Sequence, residues 1–294
     1  MSQEDRRSDI SEDAIRLLFT DERYDRMAKD HAASYVSADP FPHTVIEDFL
    51  PGPVADRLLE EFPDPNKIDW KRQENPRSKK LSTEVLDGVN AFTYQLLHHF
   101  NSPSTLKFLE RLTGIKGLVP DPYFVGGGLH QIERDGYLKI HADFNMHPAL
   151  KLDRRINLLL YMNKDWKEEY GGHLELWDRT MSKCVKKVLP VFNRCVVFNT
   201  LDWAYHGHPE PLTCPPGWTR KSLALYYYTN GRPPEEKSAE HGTLYQARPG
   251  AAGTSFSVGA RRVVGGTFRV LGNVLAAPGR LFQKLGKSIS PSDL

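Results

Sequence analysis

The hydrophobic rhythm of the chain changes once, near Pro120: apolar residues recur at helical spacing before it and in short alternating runs after it. Ser11 to about Ala33 reads as a charged helix capped by Ser11, with Ile15, Leu18 and Met27 as scattered apolar contacts. Pro51 to Phe62 reads as a short amphipathic helix, with Pro53 preset in its first turn and Val54, Leu58, Leu59 and Phe62 on one face. Two further helices are expected. One spans about Thr83 to Phe100 and carries Val85, Val89, Phe92, Leu96 and Leu97; the other spans Ser104 to Thr113 and carries Leu106, Leu109 and Leu112. Between the second and third helices, Arg72 to Lys80 is polar and basic: it is a candidate to close over a bound substrate, with a plain solvated loop as the favoured reading.

Beyond Pro120, Gly, Pro and Asn divide short β-rich runs, the signature of an antiparallel barrel or sandwich, so the expected class is α+β. Leu138-Lys139-Ile140 alternates after a turn at Gly136, and Asn145-Met146-His147-Pro148 ends the run. Cys195-Val196-Val197-Phe198 is β-branched and apolar and reads as a strand leading towards His206.

Composition permits a folded enzyme without demanding one. The 294 residues are 39% hydrophobic and 26% charged, enough for one sizeable core with extensions. Cys184, Cys195 and Cys214 form no paired framework, which points to a reducing, cytoplasmic setting. No apolar leader follows the first residues and no run long enough for a transmembrane helix occurs, so no membrane span is expected. Charge is uneven: residues 241–294 hold seven Arg or Lys against the single acid Asp293, while the whole chain is only +2. Phe268, Leu271 and Leu275, then Leu281 and Leu285 beyond Pro278, recur there at helical spacing, so this tail is a candidate for peripheral membrane or protein contact. No basic strip interleaved with aromatics appears in the body of the chain, and no nucleic-acid partner is expected.

The candidate chemistry starts with His141 and Asp143. Alternate residues of a strand share a face, so this pair projects together while Ala142 points away. Two imidazoles and one carboxylate on one side of a metal leave its other positions open for substrate and oxygen. The second imidazole must come from another strand, and strand geometry alone allows either His206 or His208. His147, His173 and Trp177 lie near these strands and read as surface, supporting or core residues rather than ligands.

The stretch from Gly126 to Tyr228 resembles the iron(II)- and 2-oxoglutarate-dependent oxygenases of the prolyl 4-hydroxylase type. The matching phrases fall in order: Gly-Tyr-Leu-Lys-Ile-His-Ala-Asp at 136–143, Leu-Leu-Tyr-Met-Asn-Lys-Asp-Trp at 159–166, Gly-Gly-His-Leu-Glu-Leu at 171–176 and Tyr-His-Gly-His-Pro at 205–209. An opening phrase from Pro40, Pro-Phe-Pro-His-Thr-Val-Ile-Glu-Asp-Phe-Leu, also fits. The resemblance implies a double-stranded β-helix (jelly-roll) with flanking α-helices, divided as a helical extension over 1–38, an oxygenase domain over 39–235 and a basic tail over 236–294. It implies His141, Asp143 and His206 as ligands of Fe(2+), the family pattern of His followed by Gly favouring His206 over His208. It places the 2-oxoglutarate anchor on Arg220, helped by Tyr161. A guanidinium fork matches a carboxylate with two hydrogen bonds, and Ser222, on the same strand face, is placed to add a third.

The implied cofactors are Fe(2+), 2-oxoglutarate as co-substrate and O2, with ascorbate as an optional reductant; the implied reaction is hydroxylation of an unactivated C–H bond with succinate and CO2 as co-products. Halogenating relatives lack the carboxylate that Asp143 supplies, so its presence favours hydroxylation. The substrate class extends over prolyl, free amino-acid and small-metabolite acceptors, that is, a peptidyl or small-molecule partner. Two departures stand out: a long Pro-rich excursion, 209–217, separates His206 from Arg220, and Gln131 stands where relatives often have an aromatic residue. The competing expectation is a non-catalytic β-helix binding protein recruited to a membrane or partner by its basic tail.

Overall fold

The computed structural model describes residues 20–83, 86 and 88–250. Helix α1 (Asp21–Val36) starts where the Thr20 side chain accepts a hydrogen bond from Arg23 N, and it runs three residues past the expected end at Ala33. The expected cap Ser11, with Ile15 and Leu18, lies outside the described residues. Strand β1 (His43–Ile46) and helix α2 (Gly52–Glu60) follow, the helix burying Val54, Ala55 and Leu58. Strands β2 (Lys71–Asn75) and β3 (Ser78–Ser82) come next. They correct the expectation of a plain loop at 72–80. Asn75 Oδ1 accepts from both Arg77 N and Ser78 N, closing the turn of a hairpin.

Helix α3 (Ala91–His99) is much shorter than the expected Thr83–Phe100. Gly88 sits at φ 82 and Asn90 caps the first turn by accepting from Thr93 N, so helical backbone begins only at Ala91. Thr83 instead serves the sheet, its hydroxyl accepting from Leu129 N. Helix α4 (Pro103–Thr113) matches its expected span, with Ser102 as cap, Pro103 in the first turn and left-handed Gly114 as the stop.

The β-rich half contains β4 (Val119–Pro120), β5 (Gly128–Glu133), β6 (Tyr137–Ala142), β7 (Asp153–Tyr161), β8 (Leu174–Trp177), β9 (Cys184–Val188), β10 (Arg194–Asn199), β11 (His206–His208), β12 (Thr219–Thr229) and β13 (Leu244–Tyr245). All pairings are antiparallel, in the order β1-β10-β7-β12-β5-β3-β6-β11-β8-β9, so β3 joins the two halves of the curled sheet by pairing β5 on one side and β6 on the other. This is the α+β jelly-roll with flanking helices expected from the sequence.

Side-chain alternation divides the sheet into two faces. Leu129, Ile156, Leu158, Leu160, Leu223 and Leu225 turn outward into one core with α1 to α4, meeting Tyr24, Leu58, Leu97 and Phe108. Each fully buried leucine there contributes about 2 kcal/mol through removal from water. Tyr24 ties α1 into the same core, stacking on Phe108 at 5.0 Å between centroids and reaching the Thr105 hydroxyl at 3.3 Å. The inner face holds Tyr161, Leu174, Leu176, Val196 and Phe198, and beside them a concentration of polar groups. At the other end of the described chain, β13 pairs with β6 and sets the Tyr245 ring 5.5 Å from His141. The tail residues from Phe268 to Leu285 lie outside the described residues, and among the described residues no helix is long and apolar enough to cross a membrane.

Candidate metal centre

Strands β6 and β11 bring the histidines together. His206 pairs with His141 and His208 with Leu138, so two residues of β11 oppose a longer step of β6 at an irregular register. The bulge keeps both histidines of β11 buried, at 6% and 4% exposure. Strand periodicity therefore does not separate His206 from His208, but distance does. Ligand atoms of His141, Asp143 and His206 all lie within 4.8 Å of one another, the group among the described residues able to share one ion. His141 Nε2 is 3.5 Å from Asp143 Oδ1 and His206 Nε2 is 3.6 Å from Oδ2.

Both imidazoles are held by backbone carbonyls. His141 Nδ1 lies 2.8 Å from Lys139 O and His206 Nδ1 lies 2.9 Å from Ala204 O. A carbonyl only accepts, so each Nδ1 carries the proton and each Nε2 lone pair faces the centre. Burial pushes the His206 pKa down to about 4, against the pull of Asp143, leaving a neutral ring at pH 7. Burial alone would raise the Asp143 carboxyl, but Arg154, His206 and His141 outweigh it and hold that carboxyl well below the usual range. The result is a neutral donor in His206 and an anion in Asp143, with His141 Nε2 beside them, a set that fits a divalent metal.

Arg154 and Asn157 complete this arrangement, and sequence reasoning missed both. Asn157 Nδ2 donates to Asp143 Oδ2 at 2.6 Å and Arg154 donates to the same oxygen at 3.1 Å, and Asn157 Oδ1 also accepts from Arg154. Arg154 is only 1% exposed, its guanidinium lying 3.5 Å from the Tyr226 ring centroid and 4.3 Å from that of Phe144. The available signal was Asn157 inside the otherwise apolar run from Ile156 to Tyr161, with Arg154 two residues before it.

Across the inner face, Arg220 and Ser222 sit on β12, with Ser222 opposite Tyr161. Arg220 Nε donates to Gly172 O at 2.8 Å, and the guanidinium lies 4.8 Å from the Tyr161 ring centroid. Gly172 has φ +73, and a Cβ there would lie 2.9 Å from Arg220 Cδ and 2.7 Å from Leu212 Cδ2, so only glycine lets the backbone approach the guanidinium. Leu212 is fully buried and its N–H donates to Gly136 O. The Pro-rich excursion at 209–217 thus runs largely over the surface, anchored by buried Leu212 and Cys214.

Arg220 is 5% exposed and pairs with no carboxylate among the described residues. The Tyr161 hydroxyl and both ring nitrogens of His208 are likewise buried without a hydrogen-bond partner. A buried cation flanked by orphaned polar atoms fits an anion with several acceptor oxygens, as the far carboxylate of a dicarboxylate would supply. Ser222 faces the same space.

The remaining polar residues have structural roles. His147 is fully buried, facing Asp121 at 3.3 Å, and its Nδ1 accepts from Ala149 N and Leu150 N to hold a turn. His173 pairs with exposed Glu168 at 2.6 Å. Trp177 is buried with its indole N–H donating to Glu175. Gln131 faces the helix side, donating to Pro63 O and accepting from Thr219.

Residues 127–228 match the family model described as the 2OG-Fe(II) oxygenase superfamily. The match covers about a third of the chain. All six expected site residues, His141, Asp143, Tyr161, His206, Arg220 and Ser222, fall inside it. The mouse protein named prolyl 3-hydroxylase OGFOD1 is 23% identical over 230 residues, 74% of this chain and 38% of that protein, so this chain spans well under half of that relative. A prolyl-4-hydroxylase crystal structure from Pseudomonas putida superposes with TM-score 0.50 at 16% identity, covering 70% of this chain and all of that one. A prolyl hydroxylase from Trichoplax adhaerens, solved with a hypoxia inducible factor oxygen degradation domain peptide fragment, gives TM-score 0.51 at 16% identity over 70% and 91% of the two chains. These structures share the fold of this chain.

Proposed function

We propose that this protein is an iron(II)- and 2-oxoglutarate-dependent dioxygenase that hydroxylates an unactivated C–H bond of a prolyl, amino-acid or small-metabolite substrate. The observation that carries the reading is the convergence, on one inner sheet face, of the His141, Asp143 and His206 set with an unpaired buried guanidinium, Arg220. When bound, iron(II) supplies open positions at which O2 and 2-oxoglutarate react to give succinate and CO2 while one oxygen atom goes to the substrate.

The side chains then have distinct tasks. His141 and His206 present Nε2 lone pairs because Lys139 O and Ala204 O hold their Nδ1 protons. Asp143 supplies the anion, and the bonds from Asn157 and Arg154 to Oδ2 hold its carboxylate plane fixed. Arg220 grips the far carboxylate of 2-oxoglutarate, with the Tyr161 hydroxyl and Ser222 as additional donors. The Asp143 carboxylate occupies the position that a halogenase leaves open for chloride, which directs the chemistry to hydroxylation.

The test is 2-oxoglutarate turnover by the purified full chain with iron(II). Succinate formation that stops in His141→Ala and Asp143→Ala supports the proposal. Equal succinate in wild type and both variants would overturn it.

A further inference from the structure

Strand β3 turns one charged side chain into the barrel that neither the metal set nor the Arg220 clamp uses. Leu81 faces outward into the helix-side core at 3% exposure. Alternation therefore points Lys80 inward, with Ser78 and Ser82. The register confirms that face: Ser82 lies opposite His130, and His130 lies opposite Ser222 of the clamp. Lys80 is half-buried and makes no hydrogen bond or ion pair. It lies within the electrostatic range of Asp143, Arg154 and Arg220, and burial lowers its ammonium to about 8, which leaves it mostly protonated at pH 7.

The charges around it do not balance. Arg154, Arg220 and Lys71 join Lys80 as cations, and among the described residues Asp143 is the carboxylate that acts on Lys80 most strongly. Neighbouring acids are engaged elsewhere: Glu175 with Lys187 and Trp177, Asp121 with His147, and Asp202 with His241. Burial holds His130 and His208 neutral. Iron(II) and the 2-oxoglutarate dianion carry equal and opposite charge, so loading both leaves this excess unchanged. Like charges confined at low dielectric repel strongly unless a counter-charge joins them. That counter-charge is missing from the described residues and from the cofactors.

We propose that Lys80 binds an anionic group, a carboxylate or a phosphate, on the primary substrate, so that the domain hydroxylates an acidic molecule in preference to its neutral counterpart. The inference rests on the oxygenase reading above. It narrows the substrate class, because a prolyl residue inside a peptide has no charge of its own while a free amino acid or a phosphorylated metabolite does. Lys80 suits the role: an ammonium on a flexible stem follows a ligand group that varies in position, whereas the Arg220 fork fixes one that does not.

The test uses the full chain loaded with iron(II) and 2-oxoglutarate under anaerobic conditions, titrated calorimetrically with matched pairs. The pairs are N-acetyl-L-proline and N-acetyl-L-prolinamide, N-acetyl-L-leucine and N-acetyl-L-leucinamide, and glycerol 3-phosphate and glycerol. At least one acidic member should bind about ten-fold or more tightly than its neutral partner, and the pair that responds distinguishes carboxylate from phosphate. Lys80→Met should abolish that preference while binding 2-oxoglutarate as wild type does, and Lys80→Arg should restore most of it. Two results overturn the inference: no pair discriminates, or Lys80→Met weakens 2-oxoglutarate itself and leaves the preference intact. A wild-type protein that fails to bind 2-oxoglutarate with iron(II) would instead remove the oxygenase reading, and this inference with it.

Discussion

Removing the Tyr161 hydroxyl should move stability and co-substrate affinity in opposite directions. Tyr161 is fully buried on β7, opposite Ser222, and Arg220 lies close enough to act on its hydroxyl, yet among the described residues that hydroxyl meets no partner at full hydrogen-bond geometry. An unsatisfied buried hydroxyl costs about 1–3 kcal/mol, which Tyr161→Phe relieves without changing the shape of the ring. Ligand-free Tyr161→Phe should therefore unfold about 2–8 °C higher than wild type. A hydrogen bond to a carboxylate contributes about 1.5–3 kcal/mol, so the same change should weaken 2-oxoglutarate binding about 10- to 150-fold in the iron-loaded protein. Scanning calorimetry and titration calorimetry read the two effects separately. A variant that melts lower and binds 2-oxoglutarate as tightly as wild type would refute the assignment, because the hydroxyl would then be structural.

Asn157→Leu removes the 2.6 Å bond to Asp143 Oδ2 and should cost about 10- to 100-fold in iron(II) affinity, read by competition with a chelator; unchanged affinity would show that Arg154 alone holds the carboxylate. Gly172→Ala places a methyl against Arg220 and Leu212 at a left-handed backbone position and should raise the KM for 2-oxoglutarate more than it lowers kcat. Leu158→Ala, in the core shared by sheet and helices, should destabilise by about 2–5 kcal/mol in denaturant unfolding with site affinities kept in the folded protein. Lys80 has a folded pKa near 8 against its ordinary 10.5, so its protonated form burdens the folded state below about pH 8. The stability of ligand-free wild type should accordingly rise relative to Lys80→Met as pH is raised from 8 towards 10.5, and a flat difference would place Lys80 in bulk water.

The parts of this protein that obey simple periodicity were readable beforehand. His141 and Asp143 were legible because period-two alternation put both on one face; Arg220 came from the family resemblance, and alternation added only Ser222 beside it. His206 and His208 were not separable that way, since the bulge between β6 and β11 buries both, and only the distance to Asp143 distinguishes them. Arg154 stayed hidden because a charged residue in a strand ordinarily points to water; here two aromatic rings and Asp143 replace that water. The hairpin carrying Lys80 read as a loop because β2 is exposed along nearly its whole length and shows no apolar face. The third helix was drawn too long because Val85 and Val89 continue its apolar spacing, whereas Gly88 and the Asn90 cap set its real start.

The most direct test of the central claim is a crystal structure of the full chain grown anaerobically with iron(II) and 2-oxoglutarate, with anomalous diffraction collected at the iron edge. The account predicts one anomalous peak bounded by His141 Nε2, Asp143 and His206 Nε2, and a dicarboxylate running from it to Arg220 and the Tyr161 hydroxyl. Iron held by His208 or by the Asp121 and His147 pair, or a dicarboxylate that leaves Arg220 unpaired, would contradict it.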